Sequence, residues 1–319
     1  MSAIRLALVI PCYNEEEVLP DTNEKLRRKI TELMSAGKIS EESRILYVDD
    51  GSRDRTWELI SQFCSQDPQI MGVKLAHNRG HQTALLAGLE CAEKFCDCAI
   101  SLDADLQDDI EVFGEFLEKY EEGCDIVYGV RSSRESDTAF KRGTAQGFYK
   151  LMKAFGVEIV YNHADYRLMS RRAIGALSDY KETSLFLRGI VPMIGYRTDY
   201  VYYTRGERLA GESKYPLKKM LSFAMDGITS FSVKPLRLLF SFGVILLCLA
   251  VIGAIVALSL DAFVGFWGIF CLIGAASGIH LIAAGVLGEY IGKIYLEAKK
   301  RPRYHIEAAA GVFPGNPEE

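Results

Sequence analysis

Two carboxylates separated by one residue, Asp103 and Asp105, are the residues of this sequence best suited to chemistry. They follow an apolar run, residues 98–102, which predicts a short buried strand. Open α/β sheets bind their ligands at the carboxyl ends of strands. Neighbouring carboxylates repel each other, and Mg²⁺ removes this conflict while leaving positions for substrate phosphates. A solvated acidic turn would show the same spacing, so the pair needs support from the rest of the chain.

Two further polar clusters follow predicted strands, at residues 11–16 and 49–54. Each alone is compatible with ordinary turn chemistry, because Asp-Gly favours turns and Ser or Asp caps helices. Parallel strands place their carboxyl ends at one edge of a sheet, so the three clusters together predict a ligand crevice. His77 and His81 flank residues 78–80, just after another predicted strand, and either line this crevice or belong to a plain loop.

Strands alternate with helices over the first 130 residues. Apolar runs predict strands near residues 4–10, 44–48, 70–76, 98–103 and 124–129. Helical spacing predicts helices near residues 15–34, 54–66, 82–94 and 110–122. This alternation predicts an α/β fold with a Rossmann-like, mostly parallel sheet, flanking helices and right-handed crossovers.

The stretch from residue 236 to 290 is almost free of charge. Its two apolar segments, at about 236–260 and 263–288, can each span a bilayer core of about 30 Å at about 1.5 Å per residue. They predict a transmembrane two-helix hairpin, with a buried pair of core helices as the alternative. Residues 215–235 predict an amphipathic helix in the membrane interface, or one packed on the soluble domain. The expected domains are thus a cytoplasmic catalytic domain at 1–214, the interface helix at 215–235, the hairpin at 236–290 and a cytoplasmic tail at 291–319.

Basic residues flank both ends of the hairpin, whereas the short loop between its helices has none. They are Lys218, Lys219, Lys234 and Arg237 before it, and Lys293, Lys299, Lys300, Arg301 and Arg303 after it. The positive-inside rule therefore places the catalytic domain and both termini in the cytoplasm, on a multi-pass protein of the inner (plasma) membrane. Residues 1–5 lack the pattern of a secretory signal. The net charge of −5 argues against a nucleic-acid partner, and the eight scattered cysteines predict reduced thiols.

Together these motifs resemble those of the family 2 glycosyltransferases, which have the GT-A fold. More narrowly, the chain resembles the polyprenyl-phosphate glycosyltransferases, such as dolichol-phosphate mannose synthases and the bacterial enzymes that load glucose onto a lipid carrier for O-antigen modification. The resemblance runs from Leu6 to about Arg303 and includes the motifs at residues 165–170 (DYRLMS) and 211–215 (GESKY). It implies inverting transfer of a hexose from a UDP-sugar to a polyprenyl (undecaprenyl-type) phosphate in the bilayer, for cell-envelope glycan modification. Glucose is the favoured sugar, and N-acetylglucosamine, galactose and mannose are alternatives.

The resemblance also implies how the donor is held. Residues at the three strand ends would bind the nucleotide-sugar, namely Pro11, Tyr13, Glu15, Asp50, Asp103 and Gln107. Asp103 and Asp105 would bind Mg²⁺ or Mn²⁺ against the diphosphate. Negative charge grows on the diphosphate as the sugar leaves, and a metal neutralises that charge as a Lewis acid.

The acceptor implied by the resemblance is itself an anion. It needs little help from a general base, but it is repelled by the donor phosphates, and guanidinium groups match phosphate geometry. The residues implied at the acceptor phosphate are Arg131, Arg208, Ser213 and Lys214, and the catalytic residues are Asp165, Asp105 and Arg167. Asp165 aligns with the acidic residue that serves family 2 enzymes as a base or an acceptor-orienting group. With an anionic acceptor we expect it to orient the acceptor or balance charge.

Other functions stay open at this stage. A processive polysaccharide synthase shares the strand-end motifs, but such enzymes usually carry Gln-x-x-Arg-Trp, and neither Trp57 nor Trp267 lies in that context. A non-enzymatic membrane subunit would not need the paired carboxylates. A lipid-carrier flippase would need more than two spans unless it oligomerised. Small residues at 274–278 favour close helix packing, which makes a homo-oligomer through the hairpins a further expectation.

Overall fold

The computed structural model describes residues 3–132, 163–182, 186–204, 228–229, 232–259 and 266–313. The chain divides into two compact units. The first comprises Met1–Gln146, Ile159–Lys214 and Pro302–Glu319, and the second comprises Gly147–Glu158 and Tyr215–Arg301. The first unit therefore takes in chain from both sides of the apolar region.

The first unit is built on one eight-stranded sheet. Its strands are β1 (Leu6–Cys12), β2 (Arg44–Asp49), β3 (Ile70–Leu75), β4 (Cys98–Ser101), β5 (Ile126–Arg131), β6 (His163–Ser170), β7 (Thr198–Tyr203) and β8 (Ile306–Ala310). Their order across the sheet is β7-β5-β6-β4-β1-β2-β3-β8. The block β4-β1-β2-β3 is parallel, whereas β6 is antiparallel to both of its neighbours and β8 is antiparallel to β3. The sheet is therefore mixed, with four parallel and three antiparallel pairings, and most of its strands run in one direction, as predicted.

Helices cover both faces of this sheet. They are α1 (Leu19–Ser35), α2 (Thr56–Gln66), α3 (His81–Ala92), α4 (Phe113–Glu121), α5 (Arg171–Ser178) and α6 (Leu187–Met193). On one face, the apolar core includes Leu26 and Ile30 of α1 and Phe113 and Phe116 of α4. On the other face, Gly88 lets α3 approach the sheet, because a Cβ there would lie 2.4 Å from the Cγ1 atom of Val9.

The strands and helices predicted for the first 130 residues are all present, with ends shifted by a few residues. No pattern in the sequence indicated the strands β6, β7 and β8 or the short helices α5 and α6. Most consequential is β8, because it lies in the stretch expected to be a tail, and instead it pairs with β3.

The second unit contains two long helices, α7 (Lys234–Ser259) and α8 (Phe266–Ala298). Within α8, the 23-residue segment Ala276–Ala298 contains an 18-residue stretch with a mean hydropathy of 1.3, none of which is buried. By length and composition this segment could cross a membrane, so it suggests membrane association. The first predicted span coincides with α7, and its membrane crossing stays a prediction. Most of the predicted interface helix at 215–235 lies outside the described residues.

Candidate active site

The three polar clusters lie at one edge of the sheet. Strand β1 is parallel to both β2 and β4, with Cys12 opposite Asp49 and Val9 opposite Ser101. The residues that follow these strands therefore emerge side by side. The sequence-based expectation that the clusters share an edge is confirmed, and this edge is where α/β sheets bind ligands.

The first two clusters are joined by hydrogen bonds. Asn14 N donates to Ser52 Oγ at 2.9 Å, and Arg53 N donates to Asn14 Oδ1 at 2.9 Å. Glu15 N donates to Thr56 Oγ1 at 2.9 Å. These bonds fix the loop after β1 against the loop after β2, so both loops present one surface.

An open cavity of about 470 Å³ lies against this surface and is lined in part by Glu15, Arg53 and Asp54. Tyr13 is 41% exposed. Pro11, by contrast, is buried within β1 opposite Val48. Of these predicted nucleotide-binding residues, Tyr13 and Glu15 are accessible to a bound molecule, whereas Pro11 belongs to the strand that supports them.

Asp50 holds a neighbouring loop in place. Its side chain is 2% exposed and accepts hydrogen bonds from Arg79 N at 2.7 Å and Gly80 N at 2.8 Å. Burial raises the pKa of Asp50, and the two backbone N–H groups act against that shift. The carboxylate thus fixes the loop that leads into α3, whose first residue is His81.

Gly51 makes this arrangement sterically possible. Its φ is +67°, and a Cβ atom there would lie 2.7 Å from Asn78 N and 2.8 Å from His77 C. We expect Gly51→Ala to push the 77–80 loop away from Asp50. The loss of folding stability should therefore exceed the roughly 1–2 kcal/mol that a left-handed conformation by itself costs a residue other than glycine. The melting temperature of the purified protein measures this loss of stability.

Gly37→Ala is the matched control for this prediction. Gly37 has a φ of +69°, but no heavy atom lies within 4 Å of the position that a Cβ atom would take there. Both variants therefore carry the same backbone strain, and Gly51→Ala should melt several degrees lower. Equal melting temperatures would show that Asp50 and its loop are not fixed by close packing at Gly51.

The third cluster turns sharply after β4. Leu106 has a φ of +44°, a left-handed conformation that is uncommon for a residue other than glycine. Its N–H donates to the Asp103 carbonyl at 3.3 Å, and Gln107 N donates to Asp105 Oδ1 at 3.3 Å. Backbone strain of this kind often occurs at functional sites. The turn leaves Asp103 and Asp105 half-buried at the edge and buries Gln107 to 6% exposure.

Asp103 is surrounded by charged groups. His81 Nε2 lies 3.5 Å from its Oδ1 atom. Although 41% of the side chain is exposed, loss of hydration in the cleft raises the pKa of Asp103 to about 6. His81 opposes this shift, whereas the carboxylates of Asp108, Asp165 and Asp105 add to it. The site therefore carries an excess of negative charge that a cation would neutralise.

The donor atoms at this edge fit a divalent cation that is shared with a substrate. Among the described residues, no group of three or more His, Cys, Asp and Glu side chains is arranged to hold a metal ion. Mg²⁺ often uses only one or two protein carboxylates and takes its other ligands from phosphates and water. Asp103 and Asp105 would provide these two carboxylates, and an ion between them would balance the negative charge that Asp108 and Asp165 add beside Asp103.

Asp165 is a carboxylate held between two guanidinium groups and an imidazole. Its Oδ1 atom lies 2.7 Å from Arg167 Nη2, and its Oδ2 atom lies 3.2 Å from Arg188 Nη2 and 3.8 Å from His81 Nε2. Burial by itself would raise the pKa of Asp165, but Arg188, Arg167 and His81 hold it well below its usual range. Asp165 is therefore ionised at neutral pH and is a poor proton acceptor.

Arg167 supports Asp165 from within the sheet. The two residues are two positions apart on β6, so their side chains share one face. Arg167 is 1% exposed, and its Nε and Nη1 atoms find no hydrogen-bond partner among the residues that the structure describes. The predicted pair of Asp165 and Arg167 is thus brought together, with Arg167 wholly buried beneath the carboxylate.

Arg188, which no sequence motif indicated, completes this cluster. Arg188 lies in the first turn of α6, and Leu187 N beside it donates to Gln82 Oε1 of α3 at 2.9 Å. His81, for which the sequence allowed either a crevice or a plain loop, faces both Asp103 and Asp165. No motif marked Arg188, because a single arginine in a short apolar helix has no distinctive spacing.

The predicted acceptor residues are only partly described. Arg131 Nη2 lies 3.5 Å from Asp108 Oδ1, and Arg131 Nε donates to Tyr203 OH at 3.3 Å. Tyr203 OH also donates to Asp108. Arg131 therefore belongs to a network near the edge, with its side chain 22% exposed. Arg208, Ser213 and Lys214 lie outside the described residues.

Sequence comparison identifies the family. The model of the family described as glycosyl transferase family 2 matches residues 7–177, more than half of the chain. The chain belongs to glycosyl transferase family 2. The resemblance drawn from the strand-end motifs is thereby confirmed, and the edge that carries the three polar clusters is the candidate active site of a glycosyltransferase.

Related glycosyltransferases match over nearly their whole length. The chain is 51% identical over 306 residues to the uncharacterized glycosyltransferase YkoT of Bacillus subtilis (95% of this chain, 91% of that protein). It is 39% identical over 310 residues to the prophage bactoprenol glucosyl transferase homolog of Escherichia coli (95% and 99%). It is 38% identical over 310 residues to the bactoprenol glucosyl transferase of Shigella phage SfV (95% and 98%).

Among solved structures, the glucosyl-3-phosphoglycerate synthase of Mycobacterium tuberculosis with Mn²⁺ and UDP-glucose aligns with a TM-score of 0.43 and 17% identity, over 71% of this chain and 78% of that one. The assignment depends on the family match and the near-full-length relatives.

Proposed function

We propose that this glycosyltransferase transfers glucose from UDP-glucose to the phosphate of a membrane polyprenyl lipid. The relatives named bactoprenol glucosyl transferases support the sugar and the lipid, because they align over nearly the whole chain. The structural observation that supports the proposal best is the position of Asp165 between the guanidinium groups of Arg167 and Arg188. Two guanidinium groups keep this carboxylate ionised, which suits an acceptor that arrives already deprotonated.

The reaction is a single displacement. An oxygen of the acceptor phosphate attacks the anomeric carbon, the bond from that carbon to the UDP oxygen breaks, and UDP leaves with the bonding electrons. The configuration at the anomeric carbon inverts. The attacking oxygen has no proton to lose, so Asp165 keeps Arg188 and Arg167 in position instead of acting as a base. Arg188, with 34% of its side chain exposed, is the guanidinium of this pair that a phosphate could reach.

The donor would lie along the edge of the sheet. Tyr13 and Glu15 would contact the base and ribose, while Asp50 acts by fixing the loop before α3. Asp103 and Asp105, beside the buried Gln107, would hold Mg²⁺ or Mn²⁺. The ion would supply Lewis-acid stabilisation of the leaving diphosphate. Arg131, together with Arg208, Ser213 and Lys214, stays proposed for the acceptor phosphate.

The direct test supplies both substrates to the purified protein in detergent. UDP-glucose carrying a radioactive sugar should yield a lipid-extractable product only when a short-chain polyprenyl phosphate and Mn²⁺ are present. UDP-N-acetylglucosamine, UDP-galactose and GDP-mannose serve as competing donors. A water-soluble polymer formed without lipid would instead indicate a processive synthase, and absence of nucleoside diphosphate release from every donor would indicate a non-enzymatic subunit.

We also propose that α7 and α8 both cross the inner membrane, with the catalytic unit on the cytoplasmic side. A UDP-sugar is a cytosolic metabolite, and the head group of a polyprenyl phosphate stays at the bilayer surface, so the reaction needs this side. The basic flanks of the two helices support the same orientation. Small residues in α8 are compatible with a homo-oligomer formed through these helices.

Cysteine labelling in intact cells measures this topology. On a background with Cys248, exposed on α7, changed to Ser, Asp261→Cys should react with a membrane-impermeant maleimide, because it follows the first span. Glu307→Cys, on β8 with a half-exposed native side chain, should react only after the cells are permeabilised. Labelling of Glu307→Cys in intact cells would reverse the orientation and remove the cytosolic donor from the proposal.

A further inference from the structure

The chain that follows α8 is an integral part of the catalytic unit. We name residues 303–310 the return segment, because they bring the chain back to the first unit after the apolar helices. The strand β8 within it pairs with β3, with Val73 opposite Ala309 and Lys74 opposite Ala308. Lys74 Nζ also lies 3.3 Å from Glu307 Oε1. The return segment is therefore ordered structure with defined partners.

Arg303 anchors the start of this segment. Its side chain is 10% exposed, and its guanidinium donates to the Glu182 carbonyl at 3.1 Å and to the Tyr180 carbonyl. Arg303 Nη1 also lies 3.9 Å from Glu90 Oε1 of α3, and Tyr304 OH donates to the same carboxylate. The sequence pattern places Arg303 among the basic residues at the membrane, yet its charge is used inside the catalytic unit.

The partners of the return segment are the elements that carry the groups around Asp165. Helix α3 begins with His81, whose imidazole faces Asp103 and Asp165. Residues 180–182 lead along the chain to α6, which carries Arg188. The return segment also bonds the loop before α3, because Ala76 N donates to the His305 carbonyl at 2.9 Å. That loop ends in the N–H groups that bind Asp50.

We propose that Arg303 and Tyr304 are positioning residues for glucose transfer. They act through Glu90 and residues 180–182 to set His81 and Arg188 against Asp165. This inference rests on the proposed function. Neither residue touches the edge at which the donor is expected, so their loss should slow the transfer step and leave donor binding nearly unchanged.

The test compares Arg303→Ala with Arg301→Ala in the full-length protein. Arg301 is exposed and lies two residues earlier, so both variants lose one positive charge from the same stretch. We expect Arg303→Ala to lower kcat about tenfold, which corresponds to about 1.4 kcal/mol, with the KM for UDP-glucose within about twofold of wild type. Arg301→Ala should keep kcat within about twofold. Equal effects of the two variants would overturn the proposal.

A double variant separates positioning from general loss of structure. Part of the effect of Arg303 should pass through Arg188, so Arg303→Ala should cost clearly less than a further tenfold in kcat in a protein that already carries Arg188→Ala. A full additional tenfold loss in that background would contradict the proposal. Should Arg303→Ala fail to fold, Arg303→Lys and Tyr304→Phe keep the side-chain volume and give the same comparison. Wild-type protein that transfers no glucose would refute the proposed function, whereas an active wild type with unaffected variants would refute only this inference.

Discussion

Asp105→Ala should lower glucose transfer about a thousandfold, because a metal ligand contributes several kcal/mol to stabilising the leaving diphosphate. Asp105 lies two residues from Asp103, in the turn that left-handed Leu106 creates. Loss of either carboxylate leaves a single protein ligand at the proposed ion. Transfer of radioactive glucose to polyprenyl phosphate measures the effect, at saturating UDP-glucose and Mn²⁺.

Asp109→Asn is the control for this variant. It removes one negative charge four residues further along, and it retains the Oδ1 atom that accepts a hydrogen bond from Glu111 N at 2.9 Å. Its activity should stay near that of wild type. Exhaustive chelation by EDTA should abolish wild-type transfer, and Mn²⁺ or Mg²⁺ should restore it. Wild-type activity that survives chelation would contradict the metal assignment at Asp103 and Asp105.

Asp165→Asn should lower kcat about a hundredfold or more while leaving the KM for UDP-glucose close to its wild-type value. Asparagine cannot balance the charges of Arg167 and Arg188, and an unbalanced buried guanidinium is costly. The pKa of Asp165 is held well below its usual range, so the carboxylate stays ionised across the working pH range. The kcat–pH profile between pH 5 and 9 should therefore keep its shape in the variant.

The depressed pKa of Asp165 also sets the sign of a stability effect. Its ionised form is favoured by folding, so its contribution to stability is present above about pH 4 and is lost as the pH falls further.

The control for the effect of Asp165→Asn on kcat is Asp97→Asn, because Asp97 is also paired with two arginines, Arg5 at 2.6 Å and Arg171 at 3.5 Å. Asp97 lies just before β4, whereas Asp103 and Asp105 follow the other end of that strand. Asp97→Asn should therefore hardly change kcat. If the wild-type kcat–pH profile has a limb that is absent only in Asp165→Asn, Asp165 acts as a general base instead.

The first half of the fold could be predicted because each strand there is an apolar run closed by turn-forming residues. Strand β6 could not, since a buried strand that carries Asp165 and Arg167 on one face looks like a polar loop. Only the ion pair, which depends on the folded sheet, makes such residues acceptable in the interior. Strand β8 has the sequence IEAAA, and alanine has little preference for strands.

The candidate site could be predicted where residues adjoin in sequence and not where they meet only in space. The paired carboxylates, the Asp50 cluster and the DYR motif were all visible in short segments. Arg188 reaches Asp165 across 23 residues, and Arg303 reaches Glu90 across more than 200. Such long-range contacts produce no local pattern of residue spacing in the sequence.

The position of β8 in the chain also orders the events of biosynthesis. A ribosome makes α7 and α8 before it makes β8, so the sheet stays incomplete until both apolar helices have been synthesised. During that interval the edge of β3 is unpaired, and an unpaired edge is a template for wrong association. A chain interrupted within the apolar helices lacks Arg303 and Tyr304 and cannot complete its catalytic unit. We therefore expect activity only from molecules whose two apolar helices have already been made.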